Sequence, residues 1–274
     1  MHTDAPTDRP LPVGTLLREW RQRRRLSQLD LAHDAAISTR HLSCVETGRA
    51  APSRAMVLHL AEALEVPLRE RNVLLAAAGF APLYRERPLD DPALQAARAA
   101  VDLVLQAHEP HPALAVDRHW NMLAHNRPLR LLLDGIDPAL LAPPVNVLRL
   151  SLHPQGVAPR IVNLNAWRTH LFARLRAQVQ ASGDAVLAAL LEELQGYPGD
   201  DGPAGGEDYN AVAVPLQIRS AAGVLSFIST TTVFGTPIDI TLSELALETF
   251  FPADAATAQL LRRLGDGQDA PMQR

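Results

Sequence analysis

The stretch from Leu26 to Ser53, LSQLDLAHDAAISTRHLSCVETGRAAPS, constrains this chain more than any other. Ser27 precedes an apolar-periodic run containing Leu29, Leu31 and Ala32, so its hydroxyl can accept an otherwise orphaned backbone N–H and cap a helix over about Gln28 to His33. Ala35 and Ala36 give a turn with little side chain, Ile37 supplies an apolar plug, and Ser38 caps a second helix. In that helix Leu42 and Val45 point inward with Ile37, which leaves Thr39, Arg40, Ser43 and Cys44 outward. Gly48, after Glu46 and Thr47, stands where a helix stops in the left-handed conformation and frees Arg49. Pro52 and Ser53 open a third helix with Met56, Val57, Leu60, Ala61 and Leu64 at helical spacing, and Val66-Pro67 opens a fourth, ended by Gly79.

Two short helices across a tight turn, with Arg18, Arg21, Arg23, Arg24 and Arg25 just ahead, have the layout of a helix-turn-helix DNA reader. The arginine cluster suits phosphate contacts, and a solvated helix face is the other reading of the same charges. Residues 1–87 hold 13 Arg against 10 acids, a balance of +3, whereas the remainder holds 13 Arg against 20 acids, a balance of −7. The basic part is the part with the motif.

The residues Leu26-Ser27-Gln28, Leu31-Ala32, Ile37-Ser38, Leu42-Ser43, Glu46-x-Gly48-Arg49 and Pro52-Ser53 resemble the lambda-repressor-like helix-turn-helix of XRE-class bacterial regulators. By position, the resemblance implies that Gln28 touches the DNA backbone and that Thr39, Arg40 and Cys44 face the major groove. Ser43 and Arg49 would lie near phosphates, with Ser38 at the head of the reading helix and Arg21, Arg23 and Arg24 adding charge. Further on, LLxAAGFAPLYRERPL resembles the MmyB-like family of regulators, whose second half is a PAS-like ligand-binding domain.

A chain of 274 residues exceeds the usual ~100–200 of one domain. The expected division is a flexible 1–13, a helix-turn-helix domain over 14–79, a charged, proline-containing linker over 80–91, a PAS-like ligand-sensing domain over 92–265 and a flexible 266–274. The fold class is α+β: a five-helix lambda-repressor-like domain, then an antiparallel sheet with packed helices. Ala93 to Ala107 reads as an amphipathic helix able to pack on the sheet or on a partner subunit. Ala113 to Asn126 reads as a hairpin turning near Asp117 to His119, after which Asn126 to Leu133 is helical. Pro143 to His153 is ambiguous by period and favours a short helix. Asn165 to Ala181 and Asp184 to Leu194 are helices, and Tyr197 to Glu207 is a glycine- and acid-rich loop. Ala211 to Arg219 and Gly223 to Val233 alternate as strands, a last strand covers about Asp239 to Phe251, and a helix follows over Ala255 to Leu264.

Such a sheet can enclose an apolar cavity, with Trp120, Trp167, Leu171, Phe227 and Ile228 near it, or simply a core built from the same residues. The single cysteine, Cys44, excludes an intramolecular disulfide and a cysteine-based zinc site. His108, His111, His119, His125, His153 and His170 fall in no metal-binding spacing, so no metal or cofactor is expected. There is no GxSxG elbow, phosphate loop or dinucleotide fingerprint, and an enzyme is not expected. No stretch approaches the roughly 18 apolar residues of a membrane span, and the chain has no apolar leader, so a cytoplasmic protein is expected. The reading is a homodimeric regulator on a pseudo-palindromic double-stranded operator, modulated by a small apolar or amphipathic molecule such as a fatty acid. The alternative is a protein-interaction module with a non-sensing scaffold domain.

Overall fold

The computed structural model of the chain describes residues 11–199, 214–221, 223–235, 237 and 239–268. By contacts the chain forms two compact units. Among the described residues, one holds 11–87 together with 237 and 239–243, and the other holds the rest.

The first unit is built on five helices: α1 (Val13–Arg23), α2 (Gln28–Asp34), α3 (Thr39–Glu46), α4 (Arg54–Ala63) and α5 (Leu68–Ala77). Serine side chains start three of them. Ser27 accepts from the Asp30 amide in a reciprocal capping box, Ser38 from that of His41 and Ser53 from that of Met56. The helices also stop alike, each with a left-handed residue that lets the next amide reach back to a free carbonyl: Leu26 to Arg21, Ile37 to Ala32, Arg49 to Cys44, Val66 to Ala61 and Phe80 to Leu75. Glycine fills the left-handed position at Gly48 and Gly79, but Arg25, Ala36 and Glu65 adopt it with side chains. Leu17, Trp20, Leu31, Leu42, Val45, Leu60, Leu64 and Leu74 fill the core.

The placement of α3 rests on two contacts. Gly14 lies so close to the end of α3 that a Cβ there would come within 2.3 Å of the Val45 carbonyl oxygen. Glu46, with its side chain only 1% exposed, accepts from Arg21 Nε at 2.7 Å, Arg21 Nη2 at 2.9 Å and Gln28 Nε2 at 2.7 Å. One carboxylate thus ties the last turn of α3 to α1 and to the first residue of α2. Burial by itself would raise the Glu46 carboxyl, but the bonds from Arg21 and Gln28 outweigh it and hold it below its ordinary value. His59 of α4 supplies a ring nitrogen 2.7 Å from the Ala35 carbonyl and so braces the turn between α2 and α3.

Beyond α5, the Asn72 side chain accepts from the Leu83 and Tyr84 amides and donates to the Tyr84 carbonyl, while Arg69 pairs with Glu86. A short helix, here α11 (Ile240–Ser243), completes this unit. The Ile240 amide donates to the Arg85 carbonyl at 2.9 Å, Thr241 Oγ1 donates to the Arg87 carbonyl, and Arg87 pairs with the buried Asp239 at 3.3 Å. The expected last strand from Asp239 is therefore wrong in its first half. Asp239 caps a helical turn by accepting from the Thr241 amide, and pairing begins only at Ala246.

The second unit has a five-stranded antiparallel sheet in the order β2-β1-β5-β4-β3, comprising β1 (Ala113–Val116), β2 (Met122–His125), β3 (Leu216–Ser220), β4 (Gly223–Val233) and β5 (Ala246–Pro252). The expected beginning of β3, at Ala211 and Val212, and most of the loop expected over 197–207 lie outside the described residues. One face of the sheet carries Leu114, Val116, Leu216, Ile218, Leu225 and Phe227, packed with α7 (Arg130–Leu133), α8 (Val147–Leu152), α9 (Leu164–Ser182) and α10 (Ala185–Gln195) around one core. The other face meets α6 (Gln95–Ala107): Val101 and Leu105 pack on Ala113, Ala115 and Leu247. All four residues of β1 are buried because both its faces are covered. A last helix, α12 (Ala255–Gln268), adds Leu261 to the larger core, and its Thr257 accepts from the Ser226 amide.

The helix contacts and stops of the first unit set the stability of three variants. A methyl group at Gly14 must push α1 off α3, so Gly14→Ala lowers the stability of the first unit by about 2–3 kcal/mol in urea denaturation. Ala36→Gly removes a left-handed penalty of roughly 1–2 kcal/mol, partly offset by unfolded-chain entropy, and is neutral or stabilising. Because the folded Glu46 carboxyl lies below its ordinary 4.5, its stabilisation is complete above that pH and is lost as pH falls through the folded value. Glu46→Ala costs about 3–5 kcal/mol near neutrality, and the deficit shrinks in acid.

Candidate DNA interface and ligand pocket

The helix-turn-helix presents α3 with its inward residues Leu42, Val45 and Glu46 buried. Ser38, Arg40, His41, Thr47 and Arg49 are exposed, and Thr39, Ser43 and Cys44 are half-buried. The outward residues named from the sequence therefore share one face and the end of one helix. That face carries no acid, because Glu46, the one acid of α3, is turned inward onto Arg21.

The arginine cluster divides differently from the expectation. Arg21 is buried in its pair with Glu46 and gives its remaining Nη1 to the Leu26 carbonyl at 2.9 Å, so it is a structural residue and not a phosphate contact. Arg24 donates to the Leu64 and Glu65 carbonyls, both at 2.9 Å, and closes the end of α4, where a cation also complements the helix dipole. Arg23 lies 4.4 Å above the Trp20 ring. Gln28 is held by Glu46. Arg18 and Arg25 are the exposed members of the cluster. A count of arginines shows available charge; it does not show which guanidinium groups the fold consumes.

The pocket of the second unit lies between the inner face of the sheet and α7, α8 and α9. It is a cavity of about 100 Å³ lined almost wholly by apolar side chains, among them Leu114, Met122, Leu132, Leu148, Ile218 and Phe250. Trp120, Trp167 and Leu171 line it as well. Phe227 does not: it is fully buried in the core, its ring edge-on to Phe250 at 6.1 Å. Ile228 does not either, because successive side chains of a strand alternate and Ile228 is on the opposite, exposed face of β4. Phe227 and Ile228 could not both have pointed inward.

Trp120 is placed by an unusual turn. Asp117 accepts from the His119 and Asn121 amides and from the Asn121 side chain, and within that turn Trp120 has φ 68°, a left-handed conformation that a bulky residue seldom adopts. The strain carries the indole into the pocket, where its Nε1 donates to Gln178 at 2.9 Å. Trp167 donates from Nε1 to Ser151 Oγ at 2.9 Å. His170 stacks on Trp167, and burial, reinforced by the nearby Arg174 charge, holds its imidazole below the usual histidine range.

Sequence reasoning missed Arg174 of α9 and Glu248 of β5, both in the lining. Signals for them exist. Trp167, Leu171 and Arg174 follow the i, i+4, i+7 spacing of one helix face, and Glu248 is a lone carboxylate inside the apolar strand ALETFF. Among the described residues no group of three or more His, Cys, Asp or Glu side chains is placed to hold a metal, and no helix is long and apolar enough to cross a membrane.

Comparison with known families gives two matches. A helix-turn-helix domain model matches residues 12–74, and the model of the MmyB-like transcription regulator ligand binding domain matches residues 97–264. No curated protein matches the chain. Both matched families are regulator domains and neither is an enzyme family. With more than half its length in the second match, a five-helix reader ahead of it and a PAS-like sheet enclosing an apolar pocket within it, the chain belongs to the MmyB-like transcription regulators, which join a DNA-binding helix-turn-helix to a small-molecule-binding domain.

Proposed function

We propose that the protein is a sequence-specific regulator that binds a pseudo-palindromic operator as a homodimer and changes its DNA affinity when a small apolar or amphipathic molecule enters the pocket. The observation that carries this is the pairing in one chain of an outward, acid-free α3 face with an apolar cavity already open between sheet and helices. The reader in this proposal is 14–79, joined through 80–91 to the ligand domain at 92–265.

Thr39, Arg40 and Cys44 sample base edges in the major groove, while Ser38, Ser43 and Arg49 set register on phosphates. One such helix reads few base pairs, so two readers on half-sites about 34 Å apart supply the specificity. A ligand alters DNA binding only if it favours one arrangement of the readers over another. The chain offers a route for this. Ser229 of β4 and Phe250 of β5 line the pocket, and the middle of the segment joining these two strands belongs to the compact unit of the reader, held by Arg87, Asp239 and Thr241. Strand movement on ligand entry would reach the reader along the chain.

Selection of bound sequences from random DNA, followed by footprinting, tests the reading directly; an enriched palindrome is expected, and salt-sensitive binding without enrichment would overturn it. Arg40→Ala is expected to weaken operator binding by about 1–3 kcal/mol with little effect on random DNA, whereas Arg49→Ala weakens both and reduces the salt slope by about one. Arg87→Gln, which opens the clasp and leaves Asp239 to cap α11, is expected to preserve ligand affinity and operator affinity without ligand while reducing the change in operator affinity that ligand causes. Gel-shift titrations with and without ligand measure it.

A further inference from the structure

The inner face of the sheet is interrupted at one point by charge. Glu248, on β5, stands between Leu114 on β1 and Thr231 on β4 and is 5% exposed. Arg174, one helical turn beyond Leu171 on α9, reaches it with Nη2 at 2.6 Å and Nη1 at 3.1 Å, and Nη2 also meets Thr231 Oγ1 at 2.6 Å. The Thr231 hydroxyl in turn donates a hydrogen bond to Glu248 at 2.9 Å. The guanidinium lies over the strained Trp120, 4.5 Å from the ring centre. Arg174 and Glu248 both line the cavity, and the Arg174 side chain is 24% exposed, so the pair stands where the apolar chamber meets solvent.

A guanidinium has five N–H donors. Here three are engaged by Glu248 and Thr231, and among the described residues Nε and the second Nη1 proton have no partner. The carboxylate is satisfied by Arg174 and Thr231. The pair therefore leaves two guanidinium N–H donors on a lining residue of the pocket, with a net charge of zero. An anionic head group brought to those donors would give up its hydration to meet a cation that Glu248 has already neutralised, and would sit beside that second carboxylate. An uncharged carbonyl or hydroxyl oxygen gains the same N–H bonds and sheds far less hydration. The nearby His170, held neutral by burial, supplies no further cation.

We infer that the pocket takes a single-tailed ligand with an uncharged, hydrogen-bond-accepting head group, such as an ester, amide or alcohol, and that Glu248 is the residue that discriminates against free carboxylates. This rests on the ligand-binding reading above and narrows it. Arg174 is the donor to the head group, Trp120 holds the guanidinium plane, and Glu248 sets the charge that the head group must have.

The test is titration of the full-length chain near neutral pH with decyl alcohol, methyl decanoate and sodium decanoate, followed by tryptophan fluorescence, since Trp120 and Trp167 line the pocket. The wild type is expected to bind the alcohol and the ester about tenfold or more tightly than decanoate. Glu248→Gln, nearly isosteric, is expected to raise decanoate affinity and close or reverse that gap. Arg174→Gln is expected to weaken the alcohol and the ester without improving decanoate, and thermal melting checks that each variant is folded. Decanoate binding to the wild type as tightly as the alcohol overturns the inference and leaves the ligand-binding reading standing, whatever the variants do. Binding of none of the three overturns both.

Discussion

Glu46 is the residue on which the geometry of the reader depends. Its carboxylate, at the inward end of α3, accepts from Arg21 of α1 and from Gln28 at the start of α2. A helix of eight residues has few apolar contacts to orient it, and Leu42 and Val45 alone would let it roll on the core. The forked Arg21 contact and the amide of Gln28 approach from different helices, so together they fix rotation as well as position. Isolation from water makes the arrangement all-or-none, because a buried carboxylate that loses its partners costs far more than the pair contributes when intact. Gly14 makes the same demand from the other side: α1 can approach the end of α3 only where no side chain intervenes.

What the sequence made legible was local. Ser27, Ser38 and Ser53 announce their helices because an N-cap needs only its own next few residues, and Gly48 and Gly79 mark the stops for the same reason. The left-handed stops at Arg25, Ala36 and Glu65 leave no such mark, since tertiary packing holds side chains in a conformation they do not favour alone. The alternation of β4 and the apolar face of α9 were equally readable. In the pocket, Trp120, Trp167 and Leu171 emerge from pattern, but the choice between Phe227 and Ile228 needs the facing of β4, which only its pairing with β5 determines.

The failures have one origin. Arginine at positions 21, 23 and 24 reads as surface charge in a linear sequence, and its partners lie elsewhere: Glu46, the Trp20 ring and the carbonyls of Leu64 and Glu65. Asp239 reads as the edge of a strand, and its partner is Arg87, which precedes β1 in the chain. Arg174 and Glu248 are separated by 74 residues and carry no shared motif. Polar residues that meet across such separations are the least visible component of a sequence, and here they decide which charges are available to DNA and which to a ligand.

The two ion pairs do different physical work despite similar chemistry. The pair of Arg21 and Glu46 is closed: with Gln28 and the Leu26 carbonyl its donors and acceptors are largely consumed, and it serves only to hold helices. The pair of Arg174 and Glu248 is open, since it borders a cavity and retains donors on the guanidinium edge. A closed pair rigidifies, whereas an open pair presents a defined pattern of donors at fixed charge and thereby selects among ligands that share an apolar tail. The strained backbone of Trp120 fits the second role, because it keeps an aromatic plane beneath the guanidinium while the rest of the hairpin follows ordinary strand geometry. Rigidity in the reader and selectivity in the pocket thus come from the same side-chain chemistry, distinguished by whether a cavity is left beside it.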